Sequence, residues 1–309
     1  MKEKLCVLTG PTGIGKTKLS LDIAEELDAE IISADSMQIY KYMNIGTAKV
    51  DSSEASRIPH HLIDIVYPDE EFSVSDFMKK AKSKITDINS RGKLPLLVGG
   101  TGLYINSLVY DLNFAKTAYD EEVREKYENL ANEYGLDYVH NLLEDIDPER
   151  AKKIHENDIK RVIRALEIYE LTGKTMSEYN KDFRKENTDY DLTMICLNMD
   201  RQELYNHINK RVDKMVEKGL IDEVKKLLDM GYDPESTALQ GIGYKELISY
   251  LDGEISLDDS LALIKQKSRN YAKRQLTWFR RDNRFKWVDK DSFDDYESLK
   301  NHIKDEITK

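Results

Sequence analysis

Cysteine, proline and glycine are all scarce in this 309-residue chain, at two, six and fifteen residues. Two cysteines cannot build a disulfide framework or a zinc site ligated mostly by cysteine. Cys6 and Cys196 both sit in apolar runs and are expected as buried free thiols. Few helix breakers leave room for long helices. No stretch approaches the ~18 apolar residues of a membrane span, and the opening MKEKLCVLTG carries no secretory apolar segment. A cytoplasmic setting without membrane association is therefore expected. A surplus of positive charge is also missing: the net charge is −11, which excludes a chain that binds nucleic acid through its overall charge. What is there is 40% apolar and 34% charged residues, the balance of a globular chain with about two domains' worth of length at ~150 residues each.

Short apolar runs at residues 4–10 (KLCVLTG), 30–36 (EIISADS), 94–100 (LPLLVGG) and 191–199 (DLTMICLNM) end in small or polar residues and read as buried parallel strands. Residues 285–289 (FKWVD) are a fifth, shorter candidate. Helical patterns between these runs predict an α/β core, a parallel sheet flanked by helices, and the GPTGIGKT motif at residues 10–17 makes it P-loop NTPase-like. Residues 113–190 differ. They offer no convincing strand, while Val123, Tyr127, Leu130 and Tyr134, then Ile159, Val162, Ile163 and Leu166, recur at helical spacing. The expected organisation is a core from 1–112 and 191–309, interrupted by an all-helical insertion. The polar, acidic C-terminal residues are expected to fray.

The sharpest motif is GPTGIGKT: Gly10, Pro11, Thr12, Gly13, Ile14, Gly15, Lys16 and Thr17. It succeeds an apolar strand and opens a helix, the setting in which glycines let backbone N–H groups converge on phosphate oxygens. The helix N-terminus adds the positive end of its dipole. Lys16 supplies a point charge and Thr17 a hydroxyl ligand for Mg²⁺. Such a loop binds a polyphosphate and leaves three kinds of chemistry open: triphosphate hydrolysis, phosphorylation of a small molecule, or transfer of a group away from diphosphate.

Asp35 falls where the second strand ends, on the sheet edge that faces a ligand crevice, although Asp-Ser is also an ordinary helix N-cap. Thr101, behind the paired glycines of GGTGLY, reaches the same edge. Arg211 lies within the apolar stripe of Leu204, Ile208, Val212 and Met215, where a buried guanidinium needs an anion. Diphosphate would serve; so would a core carboxylate, or the side chain could extend out to water.

Basic charge is concentrated late. Residues 265–286 hold nine Lys/Arg against one acid, and on a helix Lys267, Arg274 and Arg281 repeat every seven residues along one edge. Such an edge suits a phosphate backbone, or is simply a solvated face. Lys160, Arg161 and Arg164 form a second basic cluster.

GPTGIGKT, DSMQIY, IGTAK, PHHLIDI, GGTGLY, TALQGIGYKE and QKSRNYAKRQLTWFR occur in this order along nearly the whole chain. In this the chain resembles the bacterial tRNA dimethylallyltransferases, most weakly in the helical insertion. The resemblance implies transfer of a dimethylallyl group from dimethylallyl diphosphate to N6 of the adenine 3′ of the anticodon (position 37), with release of diphosphate, by a Mg²⁺-assisted enzyme expected to be a monomer. It implies Asp35 as general base, Thr101 and Arg211 as catalytic residues, and the loop at 10–17 as the cradle of the leaving group. It also implies contacts with the tRNA anticodon stem-loop from Asp35, Ser36, Met37, Gln38 and Thr101. Further contacts would come from Lys160, Arg161, Val162, Ile163 and Arg164, from Gln240, Gly241, Ile242, Gly243 and Tyr244, and from Arg124. The adenine would leave its stack to reach the site. Competing readings are a prenyltransferase for free adenine nucleotides, a P-loop small-molecule kinase, and a nucleotide-binding module without catalysis.

Overall fold

The computed structural model describes residues 2–112, 120–179 and 185–309. Six parallel strands form its sheet, in the order β3-β2-β4-β1-β5-β6. They are β1 (Glu3–Thr9), β2 (Ala29–Ala34), β3 (His60–His61), β4 (Leu94–Gly99), β5 (Tyr190–Asn198) and β6 (Lys286–Asp289). Central β1 registers its last residue Thr9 against Gly99, the last of β4, and against Cys196 of β5, which runs two residues further. The near-continuous apolar runs have the expected cause: helices cover both faces, and every residue of β2 is buried. The strand candidates at 4–10, 30–36, 94–100 and 191–199 each become a strand, with their final one or two residues released into the loops. The two-residue β3 is too short to leave a periodic signal. Cys6 and Cys196 are buried free thiols, and loss of hydration pushes each pKa up to about 12.

The helices are α1 (Lys16–Glu26), α2 (Ser52–Arg57), α3 (Val74–Ser90), α4 (Gly102–Val109), α5 (Glu121–Tyr134), α6 (Leu136–Ile146), α7 (Pro148–Ala151), α8 (Ile159–Thr172), α9 (Met176–Tyr179), α10 (Arg201–Glu217), α11 (Leu220–Asp229), α12 (Tyr244–Leu251), α13 (Leu257–Phe279) and α14 (Tyr296–Thr308). None among the described residues is long and apolar enough to cross a membrane. The chain divides into two compact units, Met1–Asn106 with Thr188–Lys309, and Ser107–Asn187.

In the first unit one apolar cluster joins the sheet to α1 and α14, and a second gathers α11, α12 and α13 around Ile39, Tyr40 and Met43. The C-terminal residues, expected to fray, form a capped helix packed on the core. Asp295 caps α14 through the Ser298 N–H, and Leu299 and Ile303, at i,i+4, are buried in the main core. Burial on that scale contributes about 2 kcal/mol per side chain, which the acidic composition of the segment conceals.

Among the described residues the second unit is helical, with one antiparallel bridge between Tyr110 and Glu186. The expected insertion at 113–190 includes residues 113–119 and 180–184, which lie outside the described residues. Tyr127, Val139, Leu143, Val162, Ile163 and Leu166 form the apolar centre of this unit. Tyr134, grouped with the apolar stripe of α5, is exposed and pairs instead with Tyr138, ring centroids 5.0 Å apart.

Candidate active site

The P-loop begins where β1 stops. Gly13 and Gly15 take φ of +81° and +92°, conformations that a side chain would strain, and Gly15 caps α1. The Lys16 ammonium arches back over the loop and donates to the carbonyls of Gly10 (2.8 Å) and Pro11 (3.0 Å). Burial, then the Arg211 guanidinium, lowers its pKa to about 8, while Asp35 works in the opposite direction. Ile14 is buried beneath the loop, and its carbonyl accepts from Lys290 at 2.8 Å. Thr17 is exposed in the first turn of α1.

Asp35 comes directly after β2. It is not a helix cap: its Oδ1 accepts from the Met37 N–H at 2.9 Å and closes a turn. The Thr101 hydroxyl oxygen accepts from the Ser36 N–H (3.0 Å), and the Thr101 N–H donates to the Ala34 carbonyl (3.0 Å). The ends of β2 and β4 are thereby tied together. Gln38 accepts from the Ser33 hydroxyl and donates to the carbonyls of Thr47 and Ala48.

Two cavities meet here. One, of about 120 Å³, is lined by polar groups that include Lys16, Thr17, Asp35 and Gln38. The other, of about 330 Å³, is walled by Met37, Ile208, Val212, Met215, Ile242 and Ile264. Four residues line both: Thr12, Asp35, Arg211 and Tyr271. Arg211 is half-buried beside its buried stripe neighbours Ile208 and Val212, and has no hydrogen bond or ion pair to the described residues. The core-carboxylate alternative for it is therefore set aside. Burial lowers its pKa and Asp35 opposes the shift. Burial, then the Asp35 charge, raises the Tyr271 phenol to about 12. The described residues include no cluster of three His, Cys, Asp or Glu side chains that could hold a metal. The hydroxyl of Thr17 and the carboxylate of Asp35 nevertheless line one cavity, and hard-oxygen donors fit a Mg²⁺ ion that takes its remaining ligands from water and phosphate.

Several expected RNA contacts are used elsewhere. Val162 and Ile163, 0% and 4% exposed, point into the helical unit's core because α8 turns its apolar face inward. Arg124 and Arg164 both bind the carboxylate of Glu167, which is 0% exposed. Burial opposes ionisation of Glu167, yet its hydrogen bonds from Arg124 and Arg164 hold its pKa below the usual carboxylate range. Lys160 and Arg161 remain exposed on α8. Tyr244 is buried, and its hydroxyl donates to Glu223 Oε1 at 2.7 Å. Gln240, Gly241, Ile242 and Gly243 do line the apolar cavity. Lys267 is paired at 2.7 Å with the buried carboxylate of Glu246. Arg281 lies beyond the end of α13, so the seven-residue edge stops at Arg274. Arg274 itself is exposed, with its guanidinium 5.7 Å from the Tyr271 ring centroid.

Three residues at the site were not singled out from the sequence, although Tyr271 and Gln275 lie within QKSRNYAKRQLTWFR. Gln275 joins the P-loop to the Gly100 turn. Tyr271 stands one turn before it, at the junction of the cavities. Glu223 accepts from the N–H groups of Asn44, Ile45 and Gly46 as well as from Tyr244. The i,i+4 spacing of Tyr271 and Gln275 was the available signal; nothing local marks Glu223.

A polyphosphate loop joined to an apolar cavity, with a carboxylate and a guanidinium where they meet, defines a P-loop α/β protein suited to group transfer from a diphosphate. The chain belongs to the IPP transferase family, whose profile it matches over residues 38–282. It is 53% identical to a tRNA dimethylallyltransferase of Acetivibrio thermocellus, over 98% of this chain and 96% of that one. It is 52% identical to the enzyme of that name from a Thermoanaerobacter species, over 98% and 97%. Among solved structures, it resembles the full-length tRNA isopentenylpyrophosphate transferase of Bacillus halodurans with a TM-score of 0.73, at 46% identity and covering 99% and 97% of the two chains. It also resembles a eukaryotic dimethylallyltransferase captured acting on tRNA, with a TM-score of 0.81 at 32% identity, covering 97% of this chain and 78% of that one.

Proposed function

We propose that this chain transfers the dimethylallyl group of dimethylallyl diphosphate to N6 of the adenine at position 37 of tRNA, next to the anticodon on its 3′ side, and releases diphosphate. The observation that carries this reading is that Thr12, Asp35, Arg211 and Tyr271 line both the phosphate cavity and the apolar cavity. Cleavage of the allylic carbon–oxygen bond leaves negative charge on diphosphate, and a preorganised set of cations and N–H dipoles stabilises it. Lys16, Arg211 and the loop at 10–17 have that role. The adenine amine is a weak nucleophile and loses a proton as its bond to carbon forms; the Asp35 carboxylate takes that proton. Thr101 holds the Asp35–Ser36 turn in place. When bound, Mg²⁺ neutralises diphosphate charge, with Thr17 as its protein ligand. Exposed Lys160, Arg161 and Arg274 contact the phosphates of the anticodon stem-loop. We further propose that the protein acts as a monomer in the cytoplasm.

The test incubates the protein with labelled dimethylallyl diphosphate and Mg²⁺ together with unmodified tRNA, AMP or ADP. Label in tRNA at the adenine beside the anticodon is the expected result. Label confined to AMP or ADP, or ATP turnover without any prenyl transfer, would overturn the proposal.

A further inference from the structure

The sheet holds β1 and β4 together as far as Thr9, whose hydroxyl donates to the Gly99 carbonyl at 2.7 Å. Beyond it the P-loop and the turn carrying Thr101 separate, and the tie between them comes from far along the chain. Gln275, on α13 and 6% exposed, accepts from the Thr12 N–H at 2.9 Å through Oε1 and donates to the Gly100 carbonyl at 2.9 Å through Nε2. Both ends of one amide are used, each on the main chain of a different ligand-bearing loop. Position 100 is shaped around it: a Cβ there would collide with Gln275 Nε2. A carboxylate could serve Thr12 but not the Gly100 carbonyl, and an aliphatic side chain could serve neither.

We propose that Gln275 is a positioning residue that sets the spacing between the diphosphate cradle and the Asp35–Thr101 edge. The proposal rests on the prenyl transfer described under Proposed function. One loop would hold the leaving group and the other, through the Ser36–Thr101 hydrogen bond, would hold the turn that carries the base, so the Gln275 amide fixes the distance across which bond breaking and bond making must align. Errors of about 1 Å in such alignments cost on the order of 10²-fold in rate.

Two variants test it. Gln275→Met removes both hydrogen bonds at similar volume. Gln275→Glu keeps the acceptor for Thr12, and its protonated form regains a donor for Gly100. The expected result for the Met variant is kcat lowered about 10²-fold, with the KM for dimethylallyl diphosphate and the Kd for tRNA within about threefold of wild type. The Glu variant should approach the wild-type rate as pH falls, when both are measured at the same pH. Hydrogen exchange without substrate should quicken at Thr12 and at the Gly100–Thr101 turn while the β1 amides stay protected. An unchanged kcat, a loss that cooling restores in step with stability, or unaltered exchange at both loops would overturn the proposal. Because exchange needs no turnover, a wild-type protein that fails to prenylate tRNA would sink the reaction while leaving the clamp to be judged on its own.

Discussion

Lys16 and Asp35 do different work, and their substitutions should separate. Asp35→Asn keeps the shape of the turn and removes the proton acceptor. It should lower kcat by about 10²–10⁴-fold with tRNA affinity unchanged, read by single-turnover rates and filter binding. An active Asn variant would remove Asp35 from the chemistry. Lys16 carries a pKa lowered by burial to about 8 in the free protein. An anion in the loop raises that pKa, so binding is complete below pH 8 and weakens as pH rises through 8. The loss is up to about tenfold per pH unit until the pKa of the complex is passed. Calorimetric titration with inorganic diphosphate between about pH 6.5 and 9.5 measures the slope. Lys16→Arg should flatten it, since a guanidinium stays charged throughout.

At the scale of elements, α13 shows how one helix divides its labour. Its inner face carries Tyr271 and Gln275 to the site, and its basic side chains split between structure and solvent. Arg274→Ala should weaken tRNA binding and reduce the slope of log Kd against log salt by about one. Lys267→Ala should leave that slope alone and cost about 2 kcal/mol of stability, because it strands the buried Glu246 carboxylate. Equal salt slopes for the two variants would contradict this division. The edge of the sheet depends on a similar pair. On β2, Glu30 is held to about pKa 2, first by hydrogen bonds from Arg91 and then by His61, against the effect of burial. Its folded pKa lies below the unfolded one, so its contribution is full above about pH 4.5 and is lost as pH falls toward 2. Arg91→Ala should lower stability at pH 7 and blunt the acid sensitivity of unfolding, both read in denaturant titrations.

Across the whole molecule, the residues that make the site come from the loops after β1, β2 and β4 and from α1, α10 and α13, spread from Gly10 to Gln275. Sequence by itself determined the local pieces. The positions of five of the six strands came from apolar runs, the P-loop from its glycines, and Asp35 from its place after a strand, because these signals depend on neighbours a few residues apart. It also marked Arg211, whose place in an apolar stripe made its charge conspicuous. Tertiary structure decided which charged side chains were free to act. Arg124, Arg164 and Lys267 look alike in sequence to Lys160, Arg161 and Arg274, but buried carboxylates at Glu167 and Glu246 engage the first three, while the others stay exposed, Arg161 with only a surface pair to Asp158 at 3.2 Å. It also placed Gln275 against loops 263 and 175 residues away in sequence, with Tyr271 beside it at the junction of the cavities. No local pattern encodes such pairings: a buried charge takes whichever partner the packed chain brings within reach, and that is fixed only when the whole core has closed.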